Sequence, residues 1–89
     1  MARVLVSMKI FPSDVDVNRD ALRRKIEENL PEYASVYKFE EEPIAFGLVA
    51  LIAHILVPED RTGGVDGVES SLREIEEISD FQTLMVRRV

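Results

Sequence analysis

The sequence predicts an α+β domain in which a four-stranded antiparallel sheet carries two helices on one face. Four segments alternate apolar and polar residues or are rich in aliphatic residues, a pattern typical of strands. Two further segments place apolar residues at intervals of three and four, a spacing typical of helices. Along the 89 residues the predicted order is strand, helix, strand, strand, helix, strand.

The first strand and the first helix have different periodicities. Residues 3–11 alternate, so that one face of the strand carries Val4, Val6, Met8 and Ile10. The helix begins after Asn18, whose side chain can accept a backbone N–H as an N-cap. It ends before Pro31, because proline disfavours helical geometry in the residue before it.

Two strands are predicted on either side of Pro43. Residues 34–41 alternate, and the charges of Lys38 and the glutamates at 40–42 discourage another chain from pairing there, so we expect an edge strand. Residues 46–57 are rich in Val, Ile, Leu and Ala, the composition of a central strand. We expect the open side of the sheet to receive from this strand Leu48, Ala50, Ile52, His54 and Leu56.

A second helix and a last strand complete the pattern. Gly63 and Gly64 supply backbone freedom before a helix over residues 65–75, and residues 81–88 are predicted as the last strand. Two right-handed βαβ-type crossovers joined by a hairpin give a ferredoxin-like sandwich. We expect residues 1–89 to form a single domain, because a chain this short buries only about 60–65% of its unfolded surface and needs nearly every apolar residue for one core.

The composition excludes several classes of site. The chain has no cysteine and one histidine, which excludes disulfides, thiolate metal sites and histidine-rich zinc sites. The longest hydrophobic stretch, Ile44 to Val57, is shorter than the about 20 residues that a membrane-spanning helix needs. The segment from Met1 to Ile10 lacks the apolar core of a signal peptide. We therefore expect a cytoplasmic, non-enzymatic protein with no catalytic residues, no cofactor and no metal site.

Charge is distributed unevenly along the chain, whose net charge is -6. Residues 1–25 carry +3, residues 26–80 carry -11 and residues 81–89 carry +2. A mostly acidic body repels phosphate backbones, so we expect no direct nucleic-acid binding. Because the first and last strands are neighbours in this topology, we expect four basic residues to gather toward one edge of the sheet: Arg3, Lys9, Arg87 and Arg88.

Each candidate site has a simpler alternative. The apolar open face is either a binding surface or an apolar surface partly covered by loops. We expect His54 to be an ordinary strand residue rather than a ligand or base, and the acids at 40–42 to be solvated rather than to hold a hard cation. The two guanidinium groups of Arg87 and Arg88, at a mobile chain end, can reach a phosphate or Mg²⁺ site of a partner.

Four segments of the chain resemble archaeal elongation factor 1-beta. They are Pro43 to Leu48, Val57 to Asp60, Gly63 to Asp66 and Phe81 to Thr83, and the resemblance covers nearly the whole chain. It implies a ferredoxin-like domain that binds the GDP-bound GTPase elongation factor 1-alpha and speeds the release of GDP during translation. In this family an aromatic residue at the strand entry packs into the GTPase, and a basic residue beside the C-terminus disturbs its Mg²⁺ and phosphate site.

The resemblance places these two roles on Phe46 and Arg88. The full set of partner-binding residues that it implies is Phe46, Gly47, Leu48, Gln82, Arg87 and Arg88. It also implies a protein that acts as a monomer and does not bind a membrane. The alternative is a regulatory module of the same fold that binds a small ligand and dimerises.

Overall fold

The computed structural model describes residues 2–89 and contains the predicted strands and helices in the predicted order. The strands are β1 (Arg3–Pro12), β2 (Ser35–Pro43), β3 (Val49–Pro58) and β4 (Ile78–Arg88). The helices are α1 (Arg19–Asn29) and α2 (Gly64–Arg73). Met1, which begins the segment predicted not to be a signal peptide, lies outside the described residues.

The four strands form one antiparallel sheet in the order β2-β3-β1-β4. Strands β1 and β3 are central, and β2 and β4 are the edges. This arrangement confirms the predicted ferredoxin-like α+β fold, the edge position of β2 and the neighbouring positions of the first and last strands. The acidic segment of β2 therefore lies at the edge of the sheet opposite to β4.

One face of the sheet packs against both helices and forms the core. The strands contribute alternate residues, and the core residues from β1, β3 and the two helices are Val6, Met8, Ile10, Leu22, Ile26, Leu51, Ala53, Ile55, Val57, Val68 and Leu72. The strand residues among them lie on the faces that the alternation predicted, and the helix residues lie at positions with helical spacing. Burial of one such side chain stabilises the fold by about 1.5–3 kcal/mol.

Helix α1 begins and ends at the predicted signals. The side chain of Asn18 accepts a hydrogen bond from the backbone N–H of Ala21 at 2.9 Å. Leu30 leaves the helical conformation just before Pro31. Among residues 2–89, no helix has the length and apolar character required to cross a membrane.

The first turn of α2 lies directly against β3. A Cβ added to Gly64 would lie 2.7 Å from Cγ1 of Val57, so any larger residue there would require the Val57 side chain or the helix to shift. Gly63 precedes the helix with a φ of 70°, a left-handed conformation that glycine adopts without steric cost. The hydroxyl of Tyr33 donates to the carbonyl of Gly64 at 2.9 Å and ties the 30–34 connection to the same turn.

The third strand begins later than predicted. Residues Ala45–Gly47 form a single 3₁₀ turn instead of the start of β3. Phe46 and Gly47 have φ values of 62° and 77°, which are incompatible with an extended strand. Leu48 consequently lies outside β3, in the connection that leads into it.

We expect Ile26→Ala to lower the free energy of unfolding by about 2–5 kcal/mol, because the substitution leaves a cavity in a fully buried site. Leu84→Ala is the matched control: Leu84 lies on the edge strand, 49% exposed, and we expect a loss below about 1 kcal/mol. Urea denaturation followed by circular dichroism measures both. Equal losses for the two variants would contradict the assignment of the core to the helix side of the sheet.

Candidate functional site

Phe46 lies at the tip of the connection between β2 and β3, and its side chain is 94% exposed. Its backbone is left-handed, with φ 62° and ψ 31°, a region that is uncommon for a non-glycine residue. An exposed phenylalanine contributes nothing to the core, so packing does not explain the residue. Strained backbone of this kind persists only where the surrounding structure imposes it, and such residues cluster at functional sites.

Two backbone hydrogen bonds hold the turn that presents Phe46. The N–H of Ile44 donates to the carbonyl of Leu48 at 2.8 Å, and the N–H of Leu48 donates to the carbonyl of Ala45 at 3.3 Å. Gly47 supports the same geometry, because its φ of 77° strains any residue with a Cβ. The turn therefore holds the backbone from which the aromatic ring projects into solvent.

The C-terminal residues are paired with β1 at the opposite end of the sheet. The register places Arg87 beside Leu5 and Arg88 beside Val4, and the N–H of Val89 donates to the carbonyl of Arg3 at 3.0 Å. The expectation of a mobile chain end is therefore wrong. The physical reason is that the ladder between β1 and β4 continues to the last residues of the chain.

Arg87 and Arg88 lie on opposite faces of the sheet, because successive strand residues alternate. Arg88 lies beside Val4 on the helix side and forms an ion pair with Glu59, which follows β3. Arg87 lies beside Leu5 on the open face. A one-residue bulge at Leu84 determines this assignment, since without it each arginine would occupy the other face.

Lys9 does not join the arginines at the C-terminal end, so this part of the predicted basic cluster is wrong. It is paired with Gln82 in the β1–β4 register and lies six residues along β1 from Arg3, a separation of about 20 Å. Lys9 also forms an ion pair with Glu42 on β2. The basic end therefore consists of Arg3, Arg87 and Arg88.

The predicted partner-binding residues fall in three places. The turn containing Phe46 precedes the start of β3, whereas Arg88 is paired with Val4 of β1 at the level of the end of β3, about 30 Å away along a ten-residue strand. Gln82 lies between them on the open face, beside Lys9. A single partner that contacts both Phe46 and Arg88 must follow the sheet along the 41 Å length of the molecule.

A chain of polar side chains crosses the middle of the open face. The hydroxyl of Ser7 lies 2.8 Å from Nδ1 of His54, and Nε2 of His54 lies 2.5 Å from a carboxylate oxygen of Glu40. The hydrogen bond to His54 is the main reason that the pKa of Glu40 lies below its ordinary value of 4.5. Ser7 is only 5% exposed, so its hydroxyl is not accessible as a nucleophile.

The acidic run of β2 is paired rather than simply solvated. Glu40 contacts His54, Glu41 forms ion pairs with Arg19 and Arg23 of α1, and Glu42 forms an ion pair with Lys9. The three carboxylates alternate between the two faces of the strand and therefore have separate partners. Within residues 2–89, no three His, Asp or Glu side chains come together as a metal-binding group.

Comparison with known proteins identifies the family of this chain. Residues 5–89 match the family described as the EF-1 guanine nucleotide exchange domain. The chain belongs to the elongation factor 1-beta family. Elongation factor 1-beta of Methanothermobacter thermautotrophicus is 42% identical over 89 residues, covering 100% of this chain and 99% of the relative. The factor of Sulfolobus acidocaldarius is 42% identical over 86 residues, covering 97% and 96%. That of Staphylothermus marinus is 37% identical over 89 residues, covering 100% and 99%.

The family establishes the activity. The chain is a translation elongation factor that promotes guanine nucleotide exchange on the GTPase elongation factor 1-alpha. The similarity extends over the full length of these archaeal relatives, and it does not favour a small-ligand regulatory module. The ion pair between Arg88 and Glu59 cannot be inferred from the alternation of the sequence, because the two residues meet only through the register of three strands.

We expect the carboxyl group of Glu40 to titrate below 4.5 in the wild type and at a higher pH in His54→Ala, which removes the hydrogen bond. Because folding lowers this pKa, the pair stabilises the fold above the ordinary carboxyl pKa, and the contribution is lost as the pH falls through the lowered value. The ¹³C shift of the side-chain carboxyl measures the midpoint. Glu41 is the internal control, and its titration midpoint should be the same in the two proteins. An unchanged Glu40 midpoint in His54→Ala would contradict the contact between Glu40 and His54.

Proposed function

We propose that this chain releases GDP from elongation factor 1-alpha through two contacts at opposite ends of its sheet. Phe46 docks into an apolar pocket of the GDP-bound GTPase, and Arg88 acts on its Mg²⁺ and phosphate site. The observation that carries the proposal is the exposed aromatic ring held on a left-handed backbone. Residues 1–89 act in the cytoplasm as a single, monomeric exchange domain, with no covalent chemistry, cofactor or resident metal.

Phe46 supplies affinity. Burial of one phenylalanine side chain contributes about 1.5–3 kcal/mol, and almost all of that surface is available in the free protein. Gly47 and Leu48 support this contact indirectly, since they hold the turn in its observed conformation. The backbone of this turn is already ordered in the free protein, so binding does not have to order it.

Arg88 supplies the effect on the nucleotide. Mg²⁺ requires near-ideal octahedral ligation, so a guanidinium group entering its site weakens the binding of both the ion and GDP. Each 1.4 kcal/mol of this coupling lowers nucleotide affinity about tenfold. By thermodynamic linkage the nucleotide weakens the binding of the exchange factor by the same factor.

The free protein holds Arg88 in an ion pair with Glu59, although the Arg88 side chain is 76% exposed. An exposed pair of this kind contributes about 0–1 kcal/mol and exchanges readily for another anion. The phosphates of a bound nucleotide offer such an anion. We therefore infer that Glu59 competes with the nucleotide site for the same guanidinium group.

The two contacts are separated by the length of β3, so the partner must provide two separate sites. Gln82 lies on the open face between the two ends, where a partner that spans the sheet would pass. Arg87 faces the same side and adds positive charge near the C-terminal end. Arg88 lies on the helix side, so a partner that contacts both ends lies along the open face and continues around the β4 edge to reach it.

We expect Phe46→Ala to raise the concentration of factor needed for half-maximal exchange by about tenfold, with little change in the maximal rate, since it removes binding surface. We expect Arg88→Ala to lower the maximal rate by about tenfold or more, since it removes the group that disturbs the nucleotide. Release of a fluorescent GDP analogue from the GTPase measures both quantities. Because the sites are about 30 Å apart, the double variant should show both changes independently. The ratio of its maximal rate to its half-maximal concentration should therefore fall by the product of the two single effects.

Two matched variants control for indirect effects. Arg24→Ala removes an exposed arginine from α1, and Arg73→Ala removes an exposed arginine from the end of α2. Neither should change exchange more than about twofold. If the wild type does not accelerate release, the proposed activity is wrong; if Phe46→Ala and Arg88→Ala both behave like the controls, the proposed site is wrong.

We expect Glu59→Gln to increase the exchange rate at subsaturating factor by up to about fivefold, because it releases Arg88 from a competing carboxylate. The increase should disappear in the Arg88→Ala background. Raising the salt concentration should reduce the difference between wild type and Glu59→Gln, since both charges are largely exposed. A decrease in rate on Glu59→Gln would show instead that the carboxylate orients the arginine productively.

A further inference from the structure

A groove opens on the face of the sheet that the helices do not cover, close to the C-terminal residues of the chain. Its volume is about 290 Å³, and its lining residues are Arg3, Leu5, Tyr37, Leu56, Arg87 and Val89. Leu5 and Leu56 are directly paired across β1 and β3 and form an apolar floor. The size is near the lower limit of about 300 Å³ for ligand pockets, so the groove suits one anchoring side chain rather than a large ligand.

The wall formed by Tyr37 results from an irregularity in β2. The register of β2 against β3 shifts between Val36 and Lys38, which places Tyr37 outside the regular ladder. Bulges of this kind redirect a side chain. Tyr37 is 66% exposed beside an apolar floor, and tyrosine and arginine are enriched among the residues that dominate binding energy at interfaces.

The two arginines of the groove give it a positive charge on an acidic protein. Arg3 and Arg87 form no ion pair with any carboxylate of residues 2–89, unlike Arg19, Arg23, Arg73 and Arg88. The acids of β2 on this face, Glu40 and Glu42, are paired with His54 and Lys9 farther along the sheet. The positive charge at this end is therefore not neutralised by neighbouring side chains.

We propose that this groove binds a short segment of the GTPase that combines a carboxylate with an apolar side chain. The apolar side chain rests on Leu5 and Leu56 against Tyr37, and the carboxylate lies between the guanidinium groups of Arg3 and Arg87. The inference rests on the proposed function and adds a third contact to it. Arg87 and Arg88 are neighbours on the edge strand β4 but lie on opposite faces, so a partner that contacts Arg88 reaches the groove by extending around this edge of the sheet.

The chemistry of the groove favours an acidic and apolar peptide over a phosphate or a nucleic acid. A phosphate group would use the two arginines but leave the apolar floor in contact with water. A polynucleotide would pass over the acidic residues of the sheet, and the net charge of -6 opposes it. A carboxylate next to an apolar side chain satisfies both parts of the groove.

The first experiment measures exchange with the full-length chain and the intact GTPase. We expect Arg3→Gln/Arg87→Gln to raise the half-saturating concentration about tenfold without changing the maximal rate, since two rim charges contribute to docking. Tyr37→Ser should raise it by about threefold. The matched control, Arg24→Gln/Arg73→Gln, removes the same net charge from the helices and should have less than about a twofold effect.

The results separate failure of this inference from failure of the proposed function. If Phe46→Ala and Arg88→Ala reduce exchange while the groove variants match the control, the groove is not part of the interface and the inference is overturned. If the two groove variants raise the half-saturating concentration as expected, it is supported.

A second experiment does not depend on exchange activity. The probe is the peptide acetyl-Asp-Glu-Phe-Leu-Glu-amide, added to ¹⁵N-labelled protein, and its control is the same peptide with Asn and Gln in place of the acids. We expect the acidic peptide to shift the amide resonances of the groove residues and the Arg3→Gln/Arg87→Gln variant to abolish the shifts. Absence of binding, or equal shifts with the uncharged peptide, would overturn the inference. Equal shifts with inorganic phosphate or a short RNA would also overturn it, because they would identify a general anion site.

Discussion

The antiparallel pairing of β1 with β4 is the constraint on which the arrangement of the molecule depends. It holds the C-terminal residues beside the N-terminal strand, at the end of the sheet opposite to the turn containing Phe46. The bulge at Leu84 then assigns Arg88 to the helix side, where Glu59 can reach it, and Arg87 to the open side. A shift of one residue in this ladder would exchange the two arginines and with them the surfaces that a partner meets.

Local signals were sufficient to predict the elements of the fold. The cap at Asn18, the stop at Pro31 and the alternation of Val4 to Ile10 are properties of neighbouring residues, and each has the predicted outcome. Features that depend on the register between strands could not be predicted from the sequence. Neither the faces of Arg87 and Arg88 nor the pairing of Lys9 with Glu42 follows from alternation alone, because each β-bulge adds one residue and reverses the faces that follow it.

The candidate site also combines features that neighbouring residues predict with features that only the folded structure shows. The importance of Phe46 came from a resemblance, and its positive φ could not have been inferred from a segment whose aliphatic composition predicts a strand. The prediction that His54 is an ordinary strand residue is consistent with its contacts to Ser7 and Glu40, which satisfy both ring nitrogens across three strands. Sequence order separates these three residues by 14 and 47 positions, so only the sheet brings them together.

The left-handed backbone at Phe46 restricts the natural variation that this position can accept. Residues branched at Cβ, such as valine and isoleucine, are genuine outliers at positive φ, whereas asparagine and glycine adopt it readily. The residues that the turn tolerates best therefore lack a hydrophobic ring, and a β-branched hydrophobic replacement would strain the turn. In the proposed complex, the residue at this position has to satisfy both the left-handed backbone and the apolar pocket of the partner, which restricts the acceptable amino acids.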